Sequence, residues 1–259
     1  MFNENRLFST WIADMYDQDE TSTEDVEFAL QLIGPQPQRV LDVACGSGRF
    51  LIPLAIAGHA AEGLDFDEAM LARIPLRAGD VRGFTFRRAD AVQDPWGSGF
   101  DVVLLGANLL FNIITETMSY SAAQQLLIDK AAASLRRGGH VFIDYGYTLH
   151  PEQQFSDSSP RVIWEGPDSK GTLGRMTLLE SDYDHRTHIV RFTRRLELAL
   201  PGDCVTTQEL PSCKHFVSLD LLHSWLDQAG LTAEGEWGDY DRHPIGEDTN
   251  RAILWARKG

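Results

Sequence analysis

The chain is short of cysteine and of positive charge, and it has no long uninterrupted apolar run. Its three cysteines, Cys45, Cys204 and Cys213, are odd in number and lack the spacing of metal pairs. That excludes a disulfide framework and fits a reducing cytoplasm. Lysine and arginine total 23 against 38 aspartates and glutamates, a formal net charge of −15. No stretch supplies the basic footprint that nucleic-acid binding requires, so no nucleic-acid partner is expected. The longest apolar stretch, 102–114, is broken by Asn108 and Asn112 and is too short to span a bilayer. The acidic N-terminus has no basic-then-apolar signal, and no membrane partner is expected. Internal repeats, low-complexity linkers, clusters at metal-ligand spacing and a G-x-S-x-G elbow are all missing, so no metal is expected. With 259 residues, one elaborated domain and a core with a small insertion both fit.

What the chain does have is concentrated at 40–51, Val-Leu-Asp-Val-Ala-Cys-Gly-Ser-Gly-Arg-Phe-Leu. An apolar run ends in an acid, turns through small residues and becomes helical, which aims backbone N–H groups at a ligand. Gly46 and Gly48 permit backbone angles closed to other residues. A dinucleotide fingerprint needs a third small residue, but Leu51 stands there, and Asp42 would repel a pyrophosphate. A ligand bearing ammonium and sulfonium groups would be attracted instead, as S-adenosylmethionine (SAM) is.

Further along, strand-like and helix-like stretches alternate through 39–145, implying a parallel sheet with helices on both faces. Ligands bind such sheets outside the carboxyl ends of the strands. Asp42, Asp65, Asp90, Asn108 and Tyr145 all fall at those ends. Residues 151–217 change character. Short β-like runs at 161–164, 175–179, 188–192 and 195–200 are separated by turns at 166–168, 182–185 and 201–203. Residues 218–230 read as a capped amphipathic helix closed by glycine, and 234–237 and 251–256 as two closing strands.

The segment Asp42-x-Ala44-Cys45-Gly46-x-Gly48 resembles motif I of the class I SAM-dependent methyltransferases. Gly63 to Leu71, with Asp65 ending a strand, resembles the second motif, and Arg88 to Ala91 resembles the adenine-reading segment. Phe100 to Asn108 and Leu135 to Ile143 resemble two later motifs, so five matches occur in order. The resemblance implies a doubly wound, seven-stranded Rossmann-like α/β sheet with an N-terminal helical cap and an antiparallel β insertion after strand 5. It divides the chain into a cap (1–38), a SAM-binding core (39–150), the insertion (151–217), and a closing helix with two strands (218–259). The layout is similar to amino-sugar-type small-molecule N-methyltransferases, whose insert roofs the acceptor pocket and contributes to a homodimer.

The resemblance implies a cytoplasmic methyltransferase moving a methyl group from SAM to nitrogen or oxygen of a small-molecule acceptor, with S-adenosylhomocysteine as product. Tyr16, Asp42, Ala44, Cys45, Gly46, Gly48, Asp65, Phe66, Met70, Asp90, Ala91 and Asn108 are expected at the cofactor, Asp65 on ribose and Asp90 on adenine. Trp11, Phe111, Asn112 and Tyr147 are expected at the acceptor, and His150, His215 or Tyr145 as the group assisting deprotonation. A non-catalytic SAM sensor or scaffold and a nicotinamide-dependent oxidoreductase remain the alternatives.

Overall fold

A computed structural model describes residues 4–155, 159–200 and 204–259. In chain order, α1 (Glu4–Asp19) and α2 (Glu24–Ile33) precede β1 (Arg39–Val43). Next come α3 (Leu51–Ile56), β2 (Ala60–Asp65), the short α4 (Glu68–Leu71) and α5 (Ile74–Ala78), and β3 (Phe84–Arg88). Strand β4 (Phe100–Leu105) is followed by α6 (Leu109–Asn112), α7 (Tyr120–Ser134) and β5 (Leu135–Gly146). After α8 (Pro151–Gln154), four strands run in succession: β6 (Arg161–Pro167), β7 (Leu173–Asp184), β8 (Ile189–Leu200) and β9 (Cys204–His215). Helix α9 (Leu219–Gln228), β10 (Leu231–Trp237) and β11 (Arg251–Lys258) end the series. Among the described residues no helix is long and apolar enough to cross a membrane.

The chain divides into two compact units, Ser22–Leu149 with Val217–Gly259, and Met1–Thr21 with His150–Phe216. The larger unit is the α/β unit. Its seven strands are ordered β10-β11-β5-β4-β1-β2-β3; β1 to β5 are parallel, and β11 is antiparallel to both its neighbours, β5 and β10, so it alone runs against the others. This is the seven-stranded Rossmann-like sheet that the resemblance implies, and its parallel part is what the strand–helix alternation predicts. Strand β1 lies between β2 and β4, so the connections leave it in opposite directions and open a crevice at the carboxyl ends. Val40, Leu51, Leu54, Val102, Leu104 and Phe142 are almost fully buried in its core. Each such side chain contributes about 1.5–3 kcal/mol on leaving water. Helix α9 starts where the sequence predicts, with Ser218 Oγ accepting from the Leu221 N–H.

The smaller unit is an antiparallel sheet, ordered β6-β7-β8-β9, with α1 and the short α8 as its helices among the described residues. Phe8, Trp11 and Met15 recur at helical spacing on α1 and pack with Met176, Leu196 and Leu198 of the sheet. Two expectations are corrected here. The runs 188–192 and 195–200 are not separate strands: Thr193 and Arg194 pair with Pro211 and Leu210, making β8 continuous. Strand β9 was not expected, because its Pro211 and polar residues mask the β pattern. The sheet tolerates that proline because β9 is an edge strand. The turn expected at 201–203 lies outside the described residues.

Candidate functional site

The loop leaving β1 is held in shape by the acids around it. Ala44, Gly46 and Gly48 have φ of 59°, 53° and 86°, and the two glycines hold this left-handed backbone without strain. Asp65, last residue of β2, accepts from the Gly46 N–H through Oδ2 (2.9 Å) and from the Asp67 N–H through Oδ1 (2.8 Å). Asp42 is only 4% exposed and accepts a backbone hydrogen bond from Leu51, the first residue of α3. Burial, and then the neighbouring Asp65, push its carboxyl up to about 8, against smaller opposing effects of Leu51 and Arg49. Burial also raises Asp65, opposed by the amides of Asp67, Gly46 and Phe66. The two carboxyls repel each other in a place water does not reach, which favours a cation there.

Cys45 packs rather than reacts. A Cβ on Gly63 would come within 2.7 Å of its Sγ, so the thiol fills the space that glycine leaves. Burial and the two aspartates hold the thiol far above its ordinary pKa, in the inert protonated form.

A cavity of about 120 Å³ opens at the carboxyl ends of β1 to β4. Ala44, Leu64, Asp65 and Phe66 line one side, Ala89 to Val92 a second, and Leu109 and Asn112 to Ile114 a third. It thus brings together five residues expected at the cofactor, Ala44, Asp65, Phe66, Asp90 and Ala91, with Asn112 from the acceptor set. Asp42, Cys45, Gly46, Gly48, Met70 and Asn108 do not line it. Phe66 is 55% exposed, an uncovered aromatic face of the kind a planar ring stacks on. Met70 sits in the first turn of α4, where Asp67 Oδ1 caps the N–H groups of Ala69 and Met70.

The turn carrying Asp90 is fixed from behind. Asp90 Oδ1 accepts from the N–H groups of Val92 (2.7 Å) and Gln93 (3.2 Å). Lys130 Nζ, from α7, donates to the carbonyls of Ala91 (2.6 Å), Val92 (3.1 Å) and Asp94 (2.7 Å). Trp96 Nε1 donates to the Ala91 carbonyl as well. Sequence reasoning missed Lys130 and Trp96, since a lone lysine in a helix gives no signal of a buried role.

Asn108 adopts a left-handed conformation (φ 60°), and its Oδ1 accepts from the Gly146 N–H at 2.9 Å, tying the end of β4 to β5. Phe111 is half-buried and Asn112 exposed. Tyr145 is 1% exposed with its hydroxyl 3.5 Å from the Val217 carbonyl, and burial keeps its phenol protonated. The Tyr147 ring lies 6.0 Å away, edge to face. The carboxylate of Asp144 accepts from Arg251 Nη1 (2.5 Å) and the Tyr240 hydroxyl (2.8 Å). Among the described residues no group of three or more His, Cys, Asp or Glu could hold a metal ion.

Four predicted residues belong to the smaller unit. Trp11 is fully buried, and a Cβ on Gly174 would meet its ring at 2.4 Å, so its indole is occupied by packing. Tyr16 is half-buried on α1. His150 stands at the start of α8 with Nδ1 3.7 Å from Glu152 Oε1. His215 ends β9, 7% exposed, and burial followed by His188 lowers it to about 4, leaving a neutral imidazole.

Residues 40–139 match the family described as "Methyltransferase domain". The chain is 29% identical over 140 residues to a 23S rRNA (uracil(1939)-C(5))-methyltransferase of Pseudomonas putida, covering 50% of this chain and 31% of that one. It therefore spans about a third of the length of such curated relatives. The fold is similar to an S-adenosylmethionine-dependent methyltransferase from Clostridium acetobutylicum, with a TM-score of 0.76 and 13% identity over 99% of this chain and 100% of that one. It is also similar to SAM-bound CalS10, an amino pentose methyltransferase from Micromonospora echinaspora, with a TM-score of 0.65 and 18% identity over 100% and 98%. The ribosomal RNA relatives correct the expectation of no nucleic-acid partner. Net charge describes the whole surface, whereas these relatives match about half of the chain, so charge alone does not exclude that class.

Proposed function

From a chain whose residues 40–139 form a methyltransferase domain, in the fold of the SAM-dependent methyltransferases, we propose transfer of a methyl group from SAM to nitrogen or oxygen of a small-molecule acceptor. The observation that carries this reading is the cavity shared by Asp65, Phe66, Asp90 and Ala91 at the strand ends. Its residues fit the cofactor. Asp65 accepts from the Gly46 and Asp67 N–H groups and is also bonded by the Phe66 amide; a carboxylate has about four acceptor positions, which leaves room for a ribose hydroxyl. Asp90 receives the adenine amino group, and Phe66 covers the ring. The Asp42–Asp65 pair favours the cationic end of the ligand, and the left-handed loop from Ala44 to Gly48 turns its backbone toward it.

SAM, when bound, supplies a methyl group already activated by its sulfonium. The protein's part is to orient, to exclude water and to let the acceptor lose a proton. Positioning supplies about 7–11 kcal/mol in the best intramolecular cases, and a general base about 10²–10⁴-fold. Of the candidate bases, Tyr145 keeps its own proton, whereas His215 is already a neutral imidazole, though at about 4 a weak proton acceptor. The three free cysteines fit a reducing cytoplasm.

The small-molecule reading is supported by the likeness to the amino pentose methyltransferase over the whole chain. A second reading, an RNA base as acceptor, is favoured by the ribosomal RNA relatives. Calorimetric titration with S-adenosylhomocysteine, with NAD in parallel, tests the cofactor. Binding of the first alone is expected; binding of NAD alone would establish the oxidoreductase alternative. A transfer assay with labelled SAM over amines, phenols and a uridine-containing RNA then separates the acceptors. Turnover on RNA alone overturns the small-molecule reading, and binding without any turnover leaves a sensor.

A further inference from the structure

The smaller unit carries two cations on one face of its sheet, Lys214 buried and Arg194 half-buried. In the register of β8 and β9, Val190 pairs with Lys214, Phe192 with Ser212 and Arg194 with Leu210. Paired residues of an antiparallel ladder point to the same side, and so do residues two apart. Phe192, Arg194, Ser212 and Lys214 therefore share one face. Further along β8 the same face carries Leu196 and Leu198, which pack with Trp11 and Met176. Beyond Leu196 this face is interrupted by a polar patch of Arg194, Ser212 and Lys214, set beside Phe192 and the fully buried Val190.

The patch is cationic and incompletely satisfied. Arg194 Nη2 donates to Ser212 Oγ at 3.3 Å, and the guanidinium lies 5.6 Å from the centre of the Phe192 ring. Its Nε is buried and has no hydrogen-bond partner. Lys214 is 6% exposed and feels the charge of Arg194. Burial alone lowers Arg194, and no carboxylate among the described residues acts on it. An orphaned buried N–H is expensive, a half-buried guanidinium that no described carboxylate offsets adds to that cost, and folding alone gives no reason to keep them. An apolar residue at 194 would continue the core begun by Leu196.

An oxyanion removes both costs together. The planar guanidinium presents N–H donors in a fork that matches carboxylate and phosphate oxygens, a hydroxyl adds a donor, and an ammonium adds a second charge. A neutral ligand would leave the charge uncompensated, and a cationic one would worsen it. The rest of the molecule, with a formal net charge of −15, repels anions, so anion binding has to come from a local site. We propose that Arg194, Ser212 and Lys214 form a binding site for an oxyanion, the phosphate or carboxylate group of a small molecule. The site lies wholly within the smaller unit and stands independently of the cofactor reading.

The test follows the Nε–H resonance of Arg194 in the ¹⁵N-labelled full chain, assigned by its loss in Arg194→Lys. Inorganic phosphate and succinate are titrated separately, with sodium chloride at matched ionic strength as the control. A saturable shift with either anion, absent with chloride, is expected. Saturation by phosphate alone identifies a phosphate group as the ligand chemistry, and by succinate alone a carboxylate. Lys214→Met should weaken that binding about tenfold or more, the loss of one charged hydrogen bond. The proposal is overturned if neither anion moves the resonance, or if chloride moves it equally. It is also overturned if Lys214→Met, shown by thermal melting to be folded, binds as tightly as the unsubstituted chain. The resonance is read on the unsubstituted protein, so a variant that fails to fold does not remove the test.

Discussion

Replacing Asp42 with asparagine exposes how the α/β unit manages its buried acids. The Asp42 carboxyl, 4% exposed, lies within reach of Asp65, and together with burial this moves it from an ordinary 3.8 to about 8. In the unfolded chain the group loses its proton near 3.8, whereas the folded chain keeps it until about 8. Between those values unfolding releases a proton, so stability is highest below the unfolded pKa and falls as pH rises. The slope is about 1.4 kcal/mol per pH unit, and it levels off above the folded pKa of about 8. Asparagine is neutral throughout and keeps an oxygen for the Leu51 N–H, so Asp42→Asn removes the slope without removing the acceptor. Urea unfolding of both proteins at intervals from about pH 5 to about pH 8 is the assay. The difference should grow steadily in favour of the variant, by about 4 kcal/mol over the range if Asp42 titrates alone and less where Asp65 shares the proton. A difference that stays flat with pH would mean that Asp42 is ionised throughout, and the argument from burial and repulsion would be wrong.

Asp65→Ala removes the acceptor of the Gly46 and Asp67 amides together with the proposed ribose contact. It should weaken S-adenosylhomocysteine binding by about 2–4 kcal/mol in calorimetry, and unchanged affinity would sink the ribose assignment. Gly63→Ala places a Cβ 2.7 Å from Cys45 Sγ and 3.0 Å from Leu51, and should destabilise the chain by about 1–3 kcal/mol in urea. Adding Cys45→Ala should recover most of that loss, and a double variant as unstable as the single one would show that the contact is not the cause. Lys130→Met strands the carbonyls of Val92 and Asp94, while Ala91 keeps its bond from Trp96, at about 1–3 kcal/mol. Amide exchange at Val92 and Gln93, whose N–H groups bond Asp90, should accelerate; protection equal to that of the unsubstituted chain would separate Lys130 from the Asp90 turn.

The α/β unit was legible because its signals are local. Strand periodicity, the glycines of the loop and the acids at strand ends all lie within short windows, and they fold into the sheet that the alternation predicts. The smaller unit was less so. Strand β8 read as two runs because Thr193 and Arg194 break the apolar pattern, and β9 was hidden by Pro211. Its pairing comes from twelve registered partners along β8, a non-local cause that no window contains. The cofactor side shows the same division. Asp65, Phe66 and Asp90 announce themselves at strand ends, whereas Lys130 reaches the Asp90 turn from a helix about 40 residues away in sequence. Only the fold shows which of α7's polar residues is turned inward.

Each unit also carries a charged group, buried or half-buried, that its own described residues leave partly uncompensated. In the α/β unit it is the Asp42–Asp65 pair, which keeps a proton for want of a cation. In the smaller unit it is Arg194, with an unbonded Nε, beside Lys214. Structural burial would be served better by apolar residues at these positions, since buried charges stabilise only when closely paired. Residues that weaken the empty protein are intelligible where a ligand of opposite charge completes them. A cationic ligand near Asp42 should displace its proton, so its affinity rises with pH up to about 8 and its binding releases protons to buffer. An oxyanion at Arg194 would have the opposite signature, drawing protons onto Lys214, which burial and Arg194 lower to about 8. The sign of proton exchange thus separates the two kinds of binding, whichever ligand is used.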